Sequence, residues 1–259
     1  MLVTIVTICF NNLDELIDTC SSIDTQSVTP YEHWIIDGST NKDIYHYLET
    51  NPQPEYRKWL CELDEGIADA FNKGIQRATG DVILLLNSGD TLYDKTVLQD
   101  VTIAFKTQPD AKWLHGKLYT LRGDLWVTVG KPFDFAKLYR GMRGVFHPTM
   151  FVKTELYKKH GLYNKQLKMA MDYDFLCRIG KEPFIFLDRT ISRFDSKGIS
   201  STRYLDAMKE ANRVYRSHYG YTLMQTIWTW RLTLLHVLLQ SPVGKFLYRI
   251  KVALGLANA

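Results

Sequence analysis

Polar side chains follow three short apolar runs of the sequence, at residues 2–10, 33–36 and 82–86. Their carboxylate and amide oxygens suit hard divalent cations and the hydrogen-bond donors of a nucleotide. Turns also favour Asn, Asp, Gly and Ser, so a plain turn is the alternative reading of any single cluster. Three clusters at one sheet edge favour a binding site. The clusters are Asn11-Asn12, Asp37-Gly38-Ser39 and Asn87-Ser88-Gly89-Asp90.

The elements that must position these clusters alternate between two periodicities. The runs at 2–10, 33–36 and 82–86 predict buried strands, and a further strand is predicted at 58–63. Helical spacing marks 13–23 and 67–78, where Ile67, Ala70, Phe71, Gly74, Ile75 and Ala78 share one face. Alternating strands and helices predict a wound, mostly parallel sheet, whose ligands lie beyond the carboxyl ends of the strands.

The second half of the sequence has a mixed pattern. We predict antiparallel strands at 111–120 and 125–129 and helices at 155–160 and 172–179. Two late strands are predicted at 184–187 and 191–194. The fold class is therefore α/β, a mostly parallel sheet flanked by helices, with a helical extension at the C-terminal end.

Composition is that of an ordinary globular protein, with 46% hydrophobic and 23% charged residues. A chain of 259 residues can form a large core without disulfides or structural metal. The four cysteines are scattered, no CxxC pair occurs, and no secretory signal precedes the first strand. We therefore expect a reducing, cytoplasmic compartment.

Basic charge is concentrated at the end of the chain. From Arg203 onward eight basic residues stand against two acidic ones, although the whole chain has a net charge of only +4. This asymmetry predicts a local anionic partner for the tail. Nucleic acid is disfavoured, because the basic residues are confined to an apolar segment.

The tail has an amphipathic helical pattern. A polar stripe opposes an apolar side that contains two tryptophans, and Arg231 interrupts the apolar run, which is too short to span a membrane. Such a helix suits the membrane interface. The alternative is a helical hairpin packed on the catalytic domain or in a homodimer. The polar stripe comprises Thr222, Thr226, Thr229, Thr233, His236 and Gln240.

Residues 2–202 resemble the inverting family 2 glycosyltransferases with the GT-A fold, most nearly the bacterial exopolysaccharide and O-antigen enzymes of the colanic-acid type. The most specific segment is ELDEGIADAFNKGIQRATGD at 62–81, followed by ILLLNSGD. Further similar segments are TICFNN, IIDGST, FHPTMFVKTELYKKHGLY, AMDYDF and KGIS. The resemblance implies a catalytic domain at 1–202, with a nucleotide-sugar half to about 95 and an acceptor half from about 96, and a tail at 203–259.

The resemblance implies that Asp172 is the catalytic base, which takes the proton of the attacking acceptor hydroxyl. Asp174 lies two residues further on, cannot share the same helix face, and is assigned to support or helix capping. The alternative is that both are first-turn acids favoured by the helix dipole.

Asp90 is the predicted metal ligand. A divalent cation, Mn²⁺ or Mg²⁺, neutralises the charge that develops on the diphosphate leaving group. Where the family usually has several acids, the Asn-Ser-Gly-Asp segment has only Asp90, so the metal is expected to be held less firmly by protein or mainly through the diphosphate. The alternative role of Asp90 is a turn or N-cap residue.

Other residues are assigned to the nucleotide-sugar donor. Asp37 is expected to read the base or ribose, Asp64 to lie near them, and Phe10 either to stack on the base or to join the core. Lys73 either binds the donor or lies on a solvated helix face. The remaining donor-site assignments are Asn87, His147 (beside the acceptor or the diphosphate, or a buried structural histidine) and Lys197 (a phosphate contact or a solvated loop lysine).

The resemblance implies transfer of a sugar from a nucleotide sugar, with UDP preferred over GDP or dTDP, to a glycan on a lipid diphosphate in bacterial surface polysaccharide synthesis. The protein is expected to lie peripherally on the cytoplasmic face of the inner membrane. Two alternatives stay open: a degenerate transferase that acts as a binding or scaffold module, and a sugar-phosphate nucleotidyltransferase, although TICFNN offers no Gly-rich basic phosphate loop. A dinucleotide-binding oxidoreductase would need the GxGxxG motif, which is missing.

Overall fold

The computed structural model describes residues 1–122, 125–194, 203–242 and 244. Its strands are β1 Val3–Cys9, β2 Glu32–Asp37, β3 Arg57–Cys61, β4 Val82–Asn87, β5 Thr91–Leu92, β6 Trp113–Arg122, β7 Leu125–Val129, β8 Phe151–Lys153 and β9 Phe184–Phe194. Its α-helices are α1 Leu13–Asp24, α2 Asp43–Thr50, α3 Ile67–Arg77, α4 Val97–Thr107, α5 Thr154–His160, α6 Met171–Ile179, α7 Tyr204–Tyr219 and α8 Leu223–Gln240. Two 3₁₀ helices, Phe135–Arg140 and His147–Thr149, precede β8.

The strands form one twisted sheet with the order β3-β2-β1-β4-β8-β6-β9-β5, and β7 pairs with β6. The first four strands of this order are parallel, β8 runs antiparallel to both β4 and β6, and β6 and β9 are parallel. Strand β7 is antiparallel to β6. The predicted α/β fold, a mostly parallel sheet with flanking helices and a C-terminal helical extension, is confirmed.

The prediction of two late strands is wrong, because Phe184–Phe194 is one strand. The polar residues Asp188 and Arg189 interrupt the apolar pattern, which made the segment look like a break. In the structure Arg189 pairs with Asp94 and Asp100, and the pairing register of β9 with β6 shifts nearby. The strand therefore continues through Asp188 and Arg189, where the pairing register shifts and Arg189 is held by its two ion pairs.

Helix α3 packs closely on the sheet at Gly74. All of Ala70, Phe71, Gly74 and Ile75 are buried, as the helical spacing predicts. A Cβ at residue 74 would overlap the Val6 side chain of β1. A glycine here allows the helix to approach the strand that ends beside the polar clusters.

The two C-terminal helices differ in how they pack. Val214 of α7 belongs to the main hydrophobic core, and Ala211, Tyr215 and Tyr219 pack against it. The Tyr219 hydroxyl donates a hydrogen bond to the Cys177 carbonyl of α6 at 2.7 Å. Helix α7 is therefore integrated into the fold, whereas α8 packs on α7 and on the first 3₁₀ helix.

Among the residues that the structure describes, no helix combines the length and the apolar character that a bilayer span requires.

The contact between α3 and β1 yields a stability prediction. Gly74→Ala should destabilise the fold by about 1–3 kcal/mol, because the added methyl group overpacks the core against Val6. On an exposed helix the same change would stabilise by about 1 kcal/mol. Urea denaturation of the wild type and the variant measures the difference.

Val6→Ala provides the control, because it removes the side chain that the new methyl group meets. The cost of Gly74→Ala should be smaller in the Val6→Ala background, with a coupling energy of about 0.5–3 kcal/mol. A Gly74→Ala protein as stable as the wild type would contradict close packing at this position.

Candidate active site

The three polar clusters meet at one sheet edge because β1 lies between β2 and β4, with all three strands parallel. Their carboxyl ends therefore coincide. The Asn12 amide donates to Ser88 Oγ at 2.5 Å, joining the turns after β1 and β4. The Asn11 side chain accepts from the Thr40 backbone N–H at 3.1 Å, joining the turns after β1 and β2.

A cleft of about 640 Å³ opens beside these turns. Its walls come from the β1 turn, the N-terminal end of α3, the β4 turn, the second 3₁₀ helix and the start of α6. The lining includes Phe10, Asn12, Asp64, Asn87, Ser88, His147, Lys168 and Asp172.

Two carboxylates approach the imidazole of His147 from opposite sides. Asp90 Oδ2 lies 3.7 Å from His147 Nε2, and Asp172 Oδ2 lies 3.7 Å from His147 Nδ1. Asp90 follows β4 and Asp172 is in the first turn of α6, so residues distant in sequence converge. The structure thus places the predicted base and the predicted metal ligand on either side of a single ring.

Asn87 fixes the protonation pattern of this ring. Its amide nitrogen lies 3.0 Å from His147 Nε2. With the amide as donor, Nε2 accepts the hydrogen bond and the neutral ring carries its proton on Nδ1, which faces Asp172. His147 therefore presents an N–H toward the carboxylate.

Burial shapes the proton affinities of all three groups. Desolvation raises the pKa of Asp90 well above its usual value, and the nearby Glu15 charge acts in the same direction. Desolvation also raises the pKa of Asp172, although His147 opposes the shift. The same burial lowers the pKa of His147, opposed by Asp172. A neutral imidazole between carboxylates of raised proton affinity follows from these shifts.

Several oxygens at the site are buried and have no hydrogen-bond partner among the residues that the structure describes. They are Asn87 Oδ1, Asp90 Oδ2 and Asp172 Oδ1. Buried polar atoms are almost always satisfied in native proteins, so three orphan acceptors in one place point to a ligand that supplies donors or positive charge. In the part of the chain that the structure describes, however, no group of three His, Cys, Asp or Glu side chains could hold a metal ion by itself.

The turn after β2 forms the other end of the site. Asp37 is buried and accepts from the Ser39 backbone N–H at 3.0 Å. A Cβ at Gly38 would overlap the Asp64 carboxylate, so only glycine lets Asp64 approach the turn. Phe10 is 58% exposed at the cleft, so it is not a core residue.

Two lysines predicted at the site have different outcomes. Lys73 does not line the cleft. Its ammonium group instead pairs with Glu62 at 2.9 Å and donates to the Leu63 carbonyl at 2.7 Å. Lys197 lies outside the described residues.

Lys168 is a cleft residue that the sequence analysis missed. It lies four residues before Asp172, outside any segment that resembles the family motif. With His147 it provides the basic groups of the cleft lining within the described part of the chain. Proximity to the AMDYDF segment was the available signal.

Glu210 of α7 holds the start of α6 in place. Its buried carboxylate accepts three consecutive backbone N–H groups, from Lys168 at 3.1 Å, Met169 at 2.6 Å and Ala170 at 2.8 Å. Amides at a helix N-terminus otherwise lack partners, and a negative charge there is stabilised by the helix dipole. Glu210 therefore positions the turn that carries Asp172.

Asp174 faces away from the cleft toward α7. Its carboxylate pairs with Arg178 at 2.9 Å and with His218 at 2.8 Å. These contacts tie α6 to α7, and they leave Asp172 as the carboxylate of the AMDYDF segment that lines the cleft.

Sequence comparison assigns the fold and site to a family. The model for glycosyl transferase family 2 matches residues 4–159. An uncharacterized glycosyltransferase of Mycobacterium tuberculosis strain H37Rv is 30% identical over 211 residues, which cover 78% of this chain and 78% of that protein. The chain belongs to glycosyl transferase family 2. The family predicted from the sequence motifs is thereby confirmed.

A further relative of this glycosyltransferase is the PGL/p-HBAD biosynthesis glycosyltransferase of Mycobacterium bovis strain BCG. It is 28% identical over 176 residues, which cover 66% of this chain and 67% of that protein. Family membership identifies sugar transfer as the reaction and disfavours the nucleotidyltransferase alternative.

Solved structures show that this family 2 protein has the GT-A fold. Mannosyltransferase PcManGT from Pyrobaculum calidifontis, in complex with GDP-Man and Mn²⁺, has a TM-score of 0.61 at 16% identity, over 98% of this chain and 80% of that one. S. aureus TarS 1-349 in complex with UDP has a TM-score of 0.60 at 17% identity, over 88% of this chain and 70% of that one. The chain corresponds to 41% of a longer TarS chain.

The Glu210 contact predicts a defect at a distance from the cleft. Glu210→Gln should lower the free energy of unfolding by about 1–3 kcal/mol, because an amide NH₂ would replace an acceptor for buried backbone donors. Hydrogen exchange at residues 168–170 should also become faster. Urea denaturation and hydrogen-exchange mass spectrometry measure the two effects.

Asp206→Asn is the matched control on the same helix, since the Asp206 side chain is 45% exposed and pairs with Arg203 alone in the described part of the chain. It should leave exchange at 168–170 unchanged. Equal effects of the two substitutions would exclude a specific positioning role for Glu210.

Proposed function

We propose that this glycosyltransferase moves a sugar, with inversion, from a nucleotide sugar to a glycan acceptor on a lipid diphosphate. The observation that carries the proposal is the convergence of Asp90 and Asp172 on His147 at the cleft wall, with an oxygen on each carboxylate that has no partner among the described residues. Asp172 acts on the acceptor side of the transferred sugar, and Asp90 acts on the leaving-group side.

Asp172 is the proposed general base. An inverting transfer is a single in-line displacement in which the acceptor hydroxyl loses its proton as it attacks the anomeric carbon. Asp172 Oδ1 has no hydrogen-bond partner and is available to that hydroxyl. The raised pKa of Asp172 makes it a stronger base than an exposed aspartate, and its second oxygen lies 3.7 Å from His147 Nδ1.

The oxygens of Asp90 and Asn87 fit a divalent cation. Both are buried, neither has a partner, and both are hard ligands of the kind that Mn²⁺ and Mg²⁺ accept. The cation would supply charge neutralisation for the leaving diphosphate. Because the described residues provide no complete ligand set, the remaining positions would be filled by diphosphate oxygens and water.

The β2 end of the cleft is the proposed nucleoside site. Asp64, which lines the cleft, and Asp37, buried at the end of β2, are the proposed acceptors for base and ribose donors, and the exposed ring of Phe10 provides a stacking surface. Lys168 is placed to contact the diphosphate. We propose a UDP-sugar, supported by the UDP and UDP-GlcNAc complexes of the structurally similar TarS.

The acceptor is proposed to be part of a bacterial surface polysaccharide of the O-antigen type. Support comes from the relatives that act in PGL/p-HBAD biosynthesis and from the apolar, basic tail. A lipid-linked acceptor would place the enzyme peripherally on the cytoplasmic face of the inner membrane.

Replacement of the proposed base should separate binding from chemistry. Asp172→Asn should retain donor binding but lose turnover by about 100- to 10,000-fold, because an amide cannot take the hydroxyl proton. Release of the nucleoside diphosphate from the donor, with calorimetric titration of binding, measures both quantities.

Asp174→Asn is the neighbouring control. It removes one acceptor of the Arg178 and His218 contacts, so it should lower stability more than it lowers turnover of the folded protein. Near-normal turnover in Asp172→Asn together with an inactive Asp174→Asn would show that Asp174, and not Asp172, is the base. Folded wild-type protein without turnover on any nucleotide sugar would support the scaffold alternative.

Loss of the proposed metal ligand should uncouple nucleotide binding from metal. UDP with Mn²⁺ should stabilise the wild type by about 2.7 kcal/mol at a ligand concentration 100 times Kd. In Asp90→Asn the Mn²⁺-dependent part of this stabilisation should disappear. Thermal unfolding with UDP, in Mn²⁺ or in EDTA, measures it.

Asp14→Asn serves as the control, because Asp14 is an exposed acid on α1. It should respond to Mn²⁺ as the wild type does. Nucleotide stabilisation that is insensitive to both EDTA and Asp90→Asn would contradict the metal assignment.

A further inference from the structure

Helix α8 exposes a row of apolar side chains, whereas a helix on the surface of a soluble protein normally buries them. Two of its polar side chains face inward: Gln225 is fully buried, and Thr229 Oγ1 donates to Asn212 Oδ1 of α7 at 3.1 Å. Its apolar stripe faces outward, with side chains 56–76% exposed. The outward stripe, here called the outer face, is Leu223, Ile227, Trp230, Leu234 and Val237.

Such a surface calls for an apolar neighbour. The five residues recur at helical spacing along one face, so they form a continuous patch rather than isolated exposures. Contiguous exposed apolar patches of this kind mark protein or membrane interaction sites.

Three guanidinium groups gather at the edge of the outer face around Trp228. Arg140, Arg143 and Arg231 lie 4.9, 4.7 and 5.1 Å from the Trp228 ring centroid. We call these four residues the arginine cluster. Arg231, which the sequence pattern places within the apolar side of the helix, belongs to this cluster.

The cluster borders a cleft of about 220 Å³ that is rich in hydrogen-bond donors. Within the described part of the chain the cleft lining contains no carboxylate. Trp228 Nε1 is buried, and no group in the described ranges accepts a hydrogen bond from it. Concentrated positive charge and an unsatisfied N–H select an anion with several acceptor oxygens, such as a phosphate.

We propose that the outer face of α8 and the arginine cluster together dock on an anionic phospholipid bilayer, with a lipid phosphate seated against the cluster. The apolar side chains enter the acyl boundary while the guanidinium groups remain at the level of the headgroups. This arrangement is that of an interfacial helix. The inference rests on the proposed function only in that a lipid-linked acceptor requires work at a membrane.

Charge favours a bilayer over a second copy of the chain. Helix α8 has no acidic residue, so a copy docked through the same face could not supply the anions that the cluster selects. The acids of α7 are already engaged, Asp206 with Arg203 and Glu210 with the α6 amides. Two copies joined through α8 would instead bring like charges together.

The docking surface lies against the helix that carries the proposed base. Tyr173 lines the arginine cleft and donates to the Leu138 carbonyl at 2.6 Å, whereas its neighbour Asp172 lines the donor cleft. A bilayer docked on the cluster would therefore lie beside α6. The surface combines residues of the catalytic domain, Arg140 and Arg143, with residues of the tail.

Vesicle co-sedimentation of the full chain tests the proposal. The wild type should bind vesicles that contain phosphatidylglycerol and bind phosphatidylcholine vesicles much more weakly. The double substitution Arg140→Gln with Arg143→Gln should lower partitioning about 30-fold, from about 1 kcal/mol per basic residue. The matched control, Lys106→Gln with Lys158→Gln, removes equal charge from two exposed lysines elsewhere and should have little effect.

A second pair of variants tests the apolar contribution. Ile227→Ser with Leu234→Ser should abolish the binding that persists at high salt while leaving the urea midpoint unchanged, since both side chains are exposed. Trp230 fluorescence should shift to the blue on wild-type binding. Neither readout involves sugar transfer. A protein that does not bind vesicles would therefore leave the proposed catalytic function untouched, and a protein without transferase activity would leave the docking result untouched.

Four outcomes would overturn the proposal. One is a wild type that ignores phosphatidylglycerol vesicles at low salt. Another is equal binding of the arginine and lysine double variants. The third is release from vesicles by millimolar soluble glycerol phosphate at constant ionic strength, which would assign the cluster to free phosphate. Sedimentation equilibrium showing a dimer that Ile227→Ser with Leu234→Ser dissociates would assign the outer face to a second copy.

Discussion

The parallel pairing of β1 with β2 and with β4 is the constraint on which the site depends. It brings three polar turns to one edge, although they are far apart in sequence. Apolar residues on these strands fix the register, because a slip by one residue would turn the core side chains to the opposite face. The glycines at 38 and 74 permit the close approaches that this arrangement requires.

Around that edge, the acceptor half supplies the groups that complete the cleft. His147 lies between Asp90 and Asp172, and burial raises the pKa of both carboxylates. Burial of a carboxylate costs free energy, which a ligand or a protein partner must offset. Unpartnered oxygens at Asn87, Asp90 and Asp172 are therefore the feature of the structure most directly connected with donor and acceptor binding.

The sequence was sufficient for the sheet, for the family and for the placement of Asp90 and Asp172 beside one cleft, because these depend on local periodicity and on segments with recognisable spacing. It was insufficient for Glu210, whose amide partners lie about 40 residues away and leave no local pattern. Lys73 lies within the most specific family segment, yet ion pairing with Glu62 turns it from the cleft. The tail's amphipathic pattern predicted a helix but not that Thr229 faces inward, since that depends on Asn212 of α7.

A crystal structure of the complex with UDP and Mn²⁺ tests the central claim most directly. The account predicts the diphosphate and the cation against Asn87 and Asp90, the nucleoside between Phe10, Asp37 and Asp64, and Asp172 facing the opposite side of the sugar position. Nucleotide bound elsewhere, or a diphosphate seated against Asp172, would contradict the assignment of the two carboxylates to opposite sides of the transferred sugar.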